Sequence, residues 1–162
     1  MDHFLYKNGT LYAEDVAINN IAAAVGTPFY VYSTATLKRH FQLFDDALAG
    51  TDHLVCYAMK AASNQAILKT LGALGAGMDV VSGGEYARAK AAGIPGDRIV
   101  FSGVRKTVDE IRMALTGGIR QFNVESEPEM QAISSVATDL GVTAGNYAKI
   151  RPKKDKSQII IG

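Results

Sequence analysis

The stretch MDVVSGGEYARAKAAG (residues 78–93) sets a short apolar run, two adjacent glycines and a helix-forming segment in order, and closes on a third glycine. Read as a strand over 78–82 followed by a helix ending at Gly93, it is one βα unit. The unit recurs on both sides. LVCYAM (54–59), RIVFS (98–102), QFNVE (121–125) and YAKIR (147–151) are the other expected strands, and QAILKTLGALG, VDEIRMALTGG and EPEMQAISSVATDLG are the other helices. Strands apolar on both faces, alternating with helices, predict a parallel sheet covered by helices. A doubly wound open sheet and a (β/α)8 barrel share this alternation, and spacing alone leaves both open.

Upstream, residues 1–33 mix short β-type pieces with a helical one. DVAINNIAAAVG reads as a short helix closed by Gly26, and TPFYVYS, rich in aromatic and β-branched residues, as a strand. Ser33 or Thr34 then caps a helix in which Leu37, Phe41, Phe44 and Leu48 form one apolar stripe ending near Gly50.

The balance of charge excludes several classes of partner. Lys and Arg number 17 against 16 Asp and Glu, which leaves no basic field for nucleic acid. No stretch approaches the roughly 18 apolar residues of a membrane span, and MDHFLYKNGT lacks the apolar core of a leader, so a cytoplasmic protein is expected. The single cysteine, Cys56, has no internal disulfide partner and reads as a core residue. His3, His40 and His53 fall in a tail, on a helix and in a loop, and suggest no metal site.

In either fold the site lies at the carboxyl ends of the strands, and that is where the unusual residues collect: Lys60, Asp79, Ser82 to Glu85, Ser102 to Lys106 and Asn123 to Ser126. Lys60 is the sharpest. An amine at the mouth of a strand either forms an imine with a carbonyl compound or pyridoxal phosphate, or it snorkels to the rim or pairs with an acid such as Asp79. The glycines of GMDVVSGGE allow close approach of a ligand or a tight turn, and Glu85 either serves a site or favours the start of the helix. The segment is neither a GxGxxG loop nor a phosphate-binding loop ending in GK[ST]. FSGVRKT offers a hydroxyl, a glycine and two cations that either meet a substrate carboxylate or solvate a loop, the loop being favoured, and NVESEPE reads as helix-start chemistry in which Ser126 precedes Glu129 by three.

Taken in order, YAMKA around Lys60, DVVSGGE (79–85), AAGIPGDRIVFSGVRKT (91–107) and GIRQFNVESEPEM (118–130) resemble the amino-terminal part of the diaminopimelate decarboxylase family, among the alanine-racemase-like (fold type III) pyridoxal-phosphate enzymes. The likeness runs from about residue 2 to residue 144. It implies a (β/α)8 barrel of the TIM type, with residues 1–35 contributing to a second, mostly β domain and residues 36–162 forming part of the pyridoxal-phosphate-binding barrel. It further implies that Lys60 bonds pyridoxal 5′-phosphate as the catalytic lysine, that Asp79 and Glu85 belong to the cofactor pocket, and that meso-diaminopimelate is decarboxylated to L-lysine in a homodimer.

Three departures bear on that expectation. The family reads Lys-Ala-Asn-Ser after the strand, and Ala62 stands here in place of the asparagine. A (β/α)8 barrel needs about 250 residues, and the 109 residues from Leu54 to Gly162 are expected to hold the first four to five βα units. The family's stacking histidine, glycine-rich phosphate loop and substrate-binding residues from the partner subunit then have no counterpart, and a truncated chain with weak or no activity alone is expected. GNYAKIRPKKDKSQIIIG departs from the family as well: either its IRP is an altered form of the arginine-containing end of the family's fifth strand, which makes Arg151 a further cofactor-binding candidate, or YAKI with a later lysine and glycine is a later segment joined after an internal deletion. A non-catalytic half-barrel acting by association, and a decarboxylase of another basic amino acid, are the alternatives. An open half-barrel is also expected to leave an apolar face uncovered.

Overall fold

In a computed structural model of the chain, residues 3–148 are described, residues 146–148 by their backbone alone. They group into two compact units: the residues up to Val55 with Asn64–Ala76, and Cys56–Ser63 with the residues from Gly77 onward.

The first unit begins with an antiparallel meander of β1 (Phe4–Lys7), β2 (Thr10–Ala13) and β3 (Val16–Ala17). Its first turn is Asn8–Gly9, both at positive φ, the pairing that a two-residue hairpin needs. Three helices follow in this unit: α1 (Ile18–Val25), α2 (Thr34–Ala47) and α3 (Gln65–Ala73), with α2 packed on α3. Ser33 rather than Thr34 caps α2, its Oγ accepting from the Thr36 N–H at 3.0 Å. The Glu14 carboxylate reinforces that start by accepting from the Ala35 N–H at 2.9 Å and the Ser33 hydroxyl at 2.8 Å, which holds its pKa below the usual carboxylate range. Three expectations need correction here. The helix of DVAINNIAAAVG starts only at Ile18, because Val16–Ala17 pairs with β2. TPFYVYS is not a strand: no described strand pairs with it, and Tyr30 and Tyr32 stand in solvent. In the α2 stripe Phe41 is buried, but Phe44 is 67% exposed and Leu48 is also exposed.

The second unit is a parallel sheet of β4 (Cys56–Ala58), β5 (Gly77–Val80), β6 (Ile99–Phe101), β7 (Gln121–Val124) and β8 (Asn146–Ala148), adjacent in chain order. The five strands expected for this sheet are thus present, slightly shorter than expected; residues 149–151 of YAKIR lie outside the described residues. Helices α4 (Gly83–Ala91), α5 (Val108–Thr116) and α6 (Glu127–Leu140) make the crossovers. A doubly wound sheet reverses its strand order at a switch point, whereas this one never does. Of the two open alternatives, the winding is therefore that of part of a (β/α) barrel.

Winding in one direction places the crossover helices on one face, and burial follows the two-residue period of the strands. Met78, Val80, Ile99, Phe101, Phe122 and Val124 are all essentially inaccessible, with the Phe101 and Phe122 rings stacked at 6.1 Å. Burying each such ring stabilises by roughly 2–3 kcal/mol. The alternate residues Ala58, Asp79, Val100, Gln121 and Asn123 are only half-buried. The strands are therefore not apolar on both faces, and the uncovered face carries polar side chains rather than the expected apolar surface. Cys56 shares that parity; it opens β4 half-buried and is not a core residue.

The helix ends follow local rules. Gly141 closes α6 in the left-handed region at φ 65°, a conformation costly for residues with a Cβ. Ser82, Thr107 and Ser126 cap α4, α5 and α6. Thr107 and Glu110 form a reciprocal capping box, and the same carboxylate accepts the Gly83 N–H at 2.7 Å, so one acid serves the starts of both α4 and α5. The Thr107 N–H and then the Gly83 N–H are what hold the Glu110 carboxyl below the usual range. A group depressed in this way contributes stability at neutral pH that is lost as pH falls through its folded pKa. Glu110→Gln is expected to destabilise the chain by about 1 kcal/mol at pH 7, with the difference from wild type shrinking towards pH 3; urea midpoints across that range measure it, and a gap constant with pH would contradict it.

Candidate functional site

The sequence after β4 turns back at once. The Ala61 N–H donates to the Ala58 carbonyl at 3.1 Å, which makes Lys60 the third residue of a four-residue turn at the carboxyl end of the strand. Two side chains pin the segment beyond it: the Tyr57 hydroxyl donates to the Ala62 carbonyl at 3.1 Å and Arg88 Nε to the Ser63 carbonyl at 2.9 Å. The Met59 N–H reaches the Asp79 carbonyl at 3.0 Å, holding the Lys60 turn against the end of β5. Lys60 itself is exposed, and its amine has no hydrogen bond or ion pair with any described residue. The pairing with Asp79 considered above is not made.

Asp79 instead belongs to a row of side chains that crosses three strand ends. Ser102 donates its hydroxyl to Asp79 Oδ1, Asn123 Nδ2 donates to Ser102 Oγ at 2.7 Å, and Gln121 Nε2 donates to Asn123 Oδ1 at 2.7 Å. Parallel register sets this up, since Ala58, Asp79, Val100 and Gln121 lie in line across β4 to β7. The Asp79 charge reaches Cys56 too: burial first, and the carboxylate second, push the thiol up, while Arg120 pulls the other way.

Glu85 sits in the first turn of α4, where its Oε2 accepts the Val81 N–H at 2.8 Å and its own N–H reaches Ser82 Oγ at 3.2 Å. In this structure its carboxylate closes the strand-to-helix turn. Gly83 approaches the Glu110 side chain so closely that a Cβ would meet Glu110 Cγ at 3.0 Å. Arg151 lies outside the described residues.

FSGVRKT is not the solvated loop expected of it. The Lys106 side chain is completely buried, with Nζ 2.6 Å from the Gly103 carbonyl, 2.9 Å from the Asn123 carbonyl and 2.9 Å from Glu129 Oε1. Gly103 makes the fold of this loop possible, as a Cβ there would lie 2.1 Å from the Val81 carbonyl oxygen. Taking an ammonium and a carboxylate out of water costs several kcal/mol per ion. Three acceptors for three N–H donors offset that cost, and Glu129 spends its other oxygen on the Glu125 N–H at 2.9 Å. Two signals in the sequence point this way: the capping box at Thr107 that fixes the residue before it, and the acid Glu129 in the first turn of α6.

This geometry can be set beside known proteins. A sequence model described as "Pyridoxal-dependent decarboxylase, pyridoxal binding domain" matches residues 34–159. The chain belongs to that family. Pyridoxal phosphate is the family's cofactor, and the rim suits it: a partner-free primary amine for its aldehyde, beside a carboxylate held at the next strand end. The chain is similar to proteins named diaminopimelate decarboxylase, 49% identical over 156 residues in Vibrio cholerae and 48% over 155 in Pseudomonas aeruginosa. Each alignment covers 96% of this chain and 37% of the relative, so the chain spans little more than a third of their length. Among solved structures, diaminopimelate decarboxylase from M. jannaschii in complex with L-lysine superposes with a TM-score of 0.82 at 38% identity, covering 91% of this chain and 35% of that one. No helix among the described residues is long and apolar enough to cross a membrane.

Removing one member of the buried pair tests its weight. Lys106→Met is expected to destabilise by roughly 3 kcal/mol or more, because Glu129 and two carbonyls lose their donor. In a double-mutant cycle, adding Glu129→Gln is expected to recover part of that loss; denaturant midpoints give both numbers, and simple additivity would contradict the pairing.

Proposed function

We propose that these residues form the cofactor-binding part of a diaminopimelate decarboxylase, which takes meso-diaminopimelate to L-lysine and carbon dioxide. The observation that supports this most is the exposed, partner-free amine of Lys60 at the carboxyl end of a parallel strand in a chain of the pyridoxal-dependent family. When bound, pyridoxal phosphate supplies a sink for the electron pair left by the departing α-carboxylate. Lys60 is the residue that would hold the cofactor, its amine Nζ being the group that would bond the aldehyde. Asp79, fixed by Ser102 on Oδ1, keeps its other oxygen without a partner among the described residues, and Glu85 orders the turn between β5 and α4. Arg151 keeps its place in the cofactor-binding set on the resemblance of its IRP segment to the end of the family's fifth strand.

The amino-acid substrate, a homodimer, a cytoplasmic location and the assignment of residues 1–35 to a second, mostly β domain belong to the same reading. The name shared by the relatives favours diaminopimelate over another basic amino acid. Mixing the purified chain with pyridoxal phosphate is expected to raise an imine absorption band, and borohydride to fix the label on Lys60 alone. Labelling spread over several lysines, or an undiminished band in Lys60→Ala, would count against it.

A second reading, a barrel segment that acts by association, is favoured by one observation: among the described residues β4 pairs with β5 alone, leaving an open strand edge. Sedimentation velocity with and without a full-length diaminopimelate decarboxylase separates the two, since association predicts a faster boundary for the mixture and a monomer that ignores its partner removes this reading.

A further inference from the structure

The row Gln121, Asn123, Ser102, Asp79 has a direction. The Ser102 hydroxyl has one proton, and with Asn123 Nδ2 donating to its oxygen that proton goes to Asp79 Oδ1. The Asn123 side-chain oxygen, Oδ1, is likewise spent on Gln121 Nε2, so its amide orientation is fixed as well. Each donor points the same way, and the row ends on a carboxylate whose Oδ2 has no partner among the described residues.

Side-chain pairs between strands commonly do no more than stitch a sheet. This row differs in where it ends and in how it is anchored. Asp79 is the residue whose carbonyl takes the Met59 N–H beside Lys60, and the Asn123 carbonyl is held by the buried Lys106. The β7 end of the row is thus tied to a saturated ion pair and the β5 end to the turn that carries the free amine. A hydrogen-bonded row of this kind stiffens the group at its end, and each link polarises the next.

We propose that Ser102 and Asn123 are positioning residues which fix the Asp79 carboxylate beside Lys60 for pyridoxal phosphate; this rests on the cofactor reading of Lys60. Freed from Ser102, the carboxylate turns towards water and its field at Cys56 weakens. Cys56 therefore reports on Asp79 without any cofactor, through the pH midpoint of its alkylation by iodoacetamide.

The test uses the full chain as wild type, Ser102→Ala, Asn123→Ala, Ser102→Thr and Asp79→Asn. Both alanine variants are expected to move the Cys56 midpoint down, towards that of Asp79→Asn, and to raise about fivefold the pyridoxal phosphate needed for half-maximal imine. Ser102→Thr, which keeps the hydroxyl, is expected to restore both. Alanine variants that retain the wild-type Cys56 midpoint overturn the proposal, as does a moved midpoint with an unchanged imine titration. If the wild-type chain forms no imine, the cofactor reading itself fails, and the Cys56 midpoints alone decide whether Ser102 and Asn123 hold Asp79.

Discussion

Every strand of the parallel sheet hands over to its immediate neighbour, and this single direction of winding is the constraint on which the rest of the second unit depends. A right-handed crossover repeated without reversal keeps α4, α5 and α6 on one side. The covered side must then be uniformly apolar, as Met78, Val80, Ile99, Phe101, Phe122 and Val124 are. The other side is released from that demand. It is there that Asp79, Gln121 and Asn123 find room, in register, to form a row. A doubly wound sheet would have buried both faces and left no such place for them.

The strand ends are held at larger cost. Lys106 and Glu129 are an ion pair with almost no access to water, an arrangement that in isolation would destabilise. It is tolerated because no donor of the ammonium is left over, and because two of its acceptors are main-chain carbonyls of the β6 loop and of β7. The pair thereby fixes the separation of two strand ends, which hydrophobic contacts between helices and sheet would leave softer. Capping acts in the same manner at smaller magnitude, with Glu110 joining the starts of α4 and α5.

Much of this was legible in the sequence where local chemistry decides. The apolar cores of the strands, the glycines after the helices and the capping serines each specify their own conformation, and all five strands of the sheet fall where they were read. Reading failed where a partner decides. TPFYVYS has the composition of a strand but no neighbour to pair with, and composition cannot supply one. Phe44 and Leu48 have the spacing of a buried stripe, yet burial requires something to pack against. Lys106 looked like a solvated cation because its acceptors are 3, 17 and 23 residues away in sequence. Ser102 and Asn123 were visible as rim residues, but their connection to Asp79 needs the register of three strands.

The same rim therefore carries two lysines in opposite circumstances. The Lys106 side chain is wholly buried and every donor of its amine is taken, so it cannot approach an aldehyde without breaking three contacts at once. Lys60 stands in solvent on a turn whose flanks are pinned by Tyr57 and Arg88, with the amine unspent and the backbone fixed. The proposed role of Lys60 draws on that combination, since a fixed backbone lowers the entropy lost on bonding while a free terminus leaves nothing to be undone first. Ala62 fits the arrangement: the Tyr57 hydroxyl bonds its carbonyl, so this pin on the loop is a main-chain contact that does not depend on the side chain at that position.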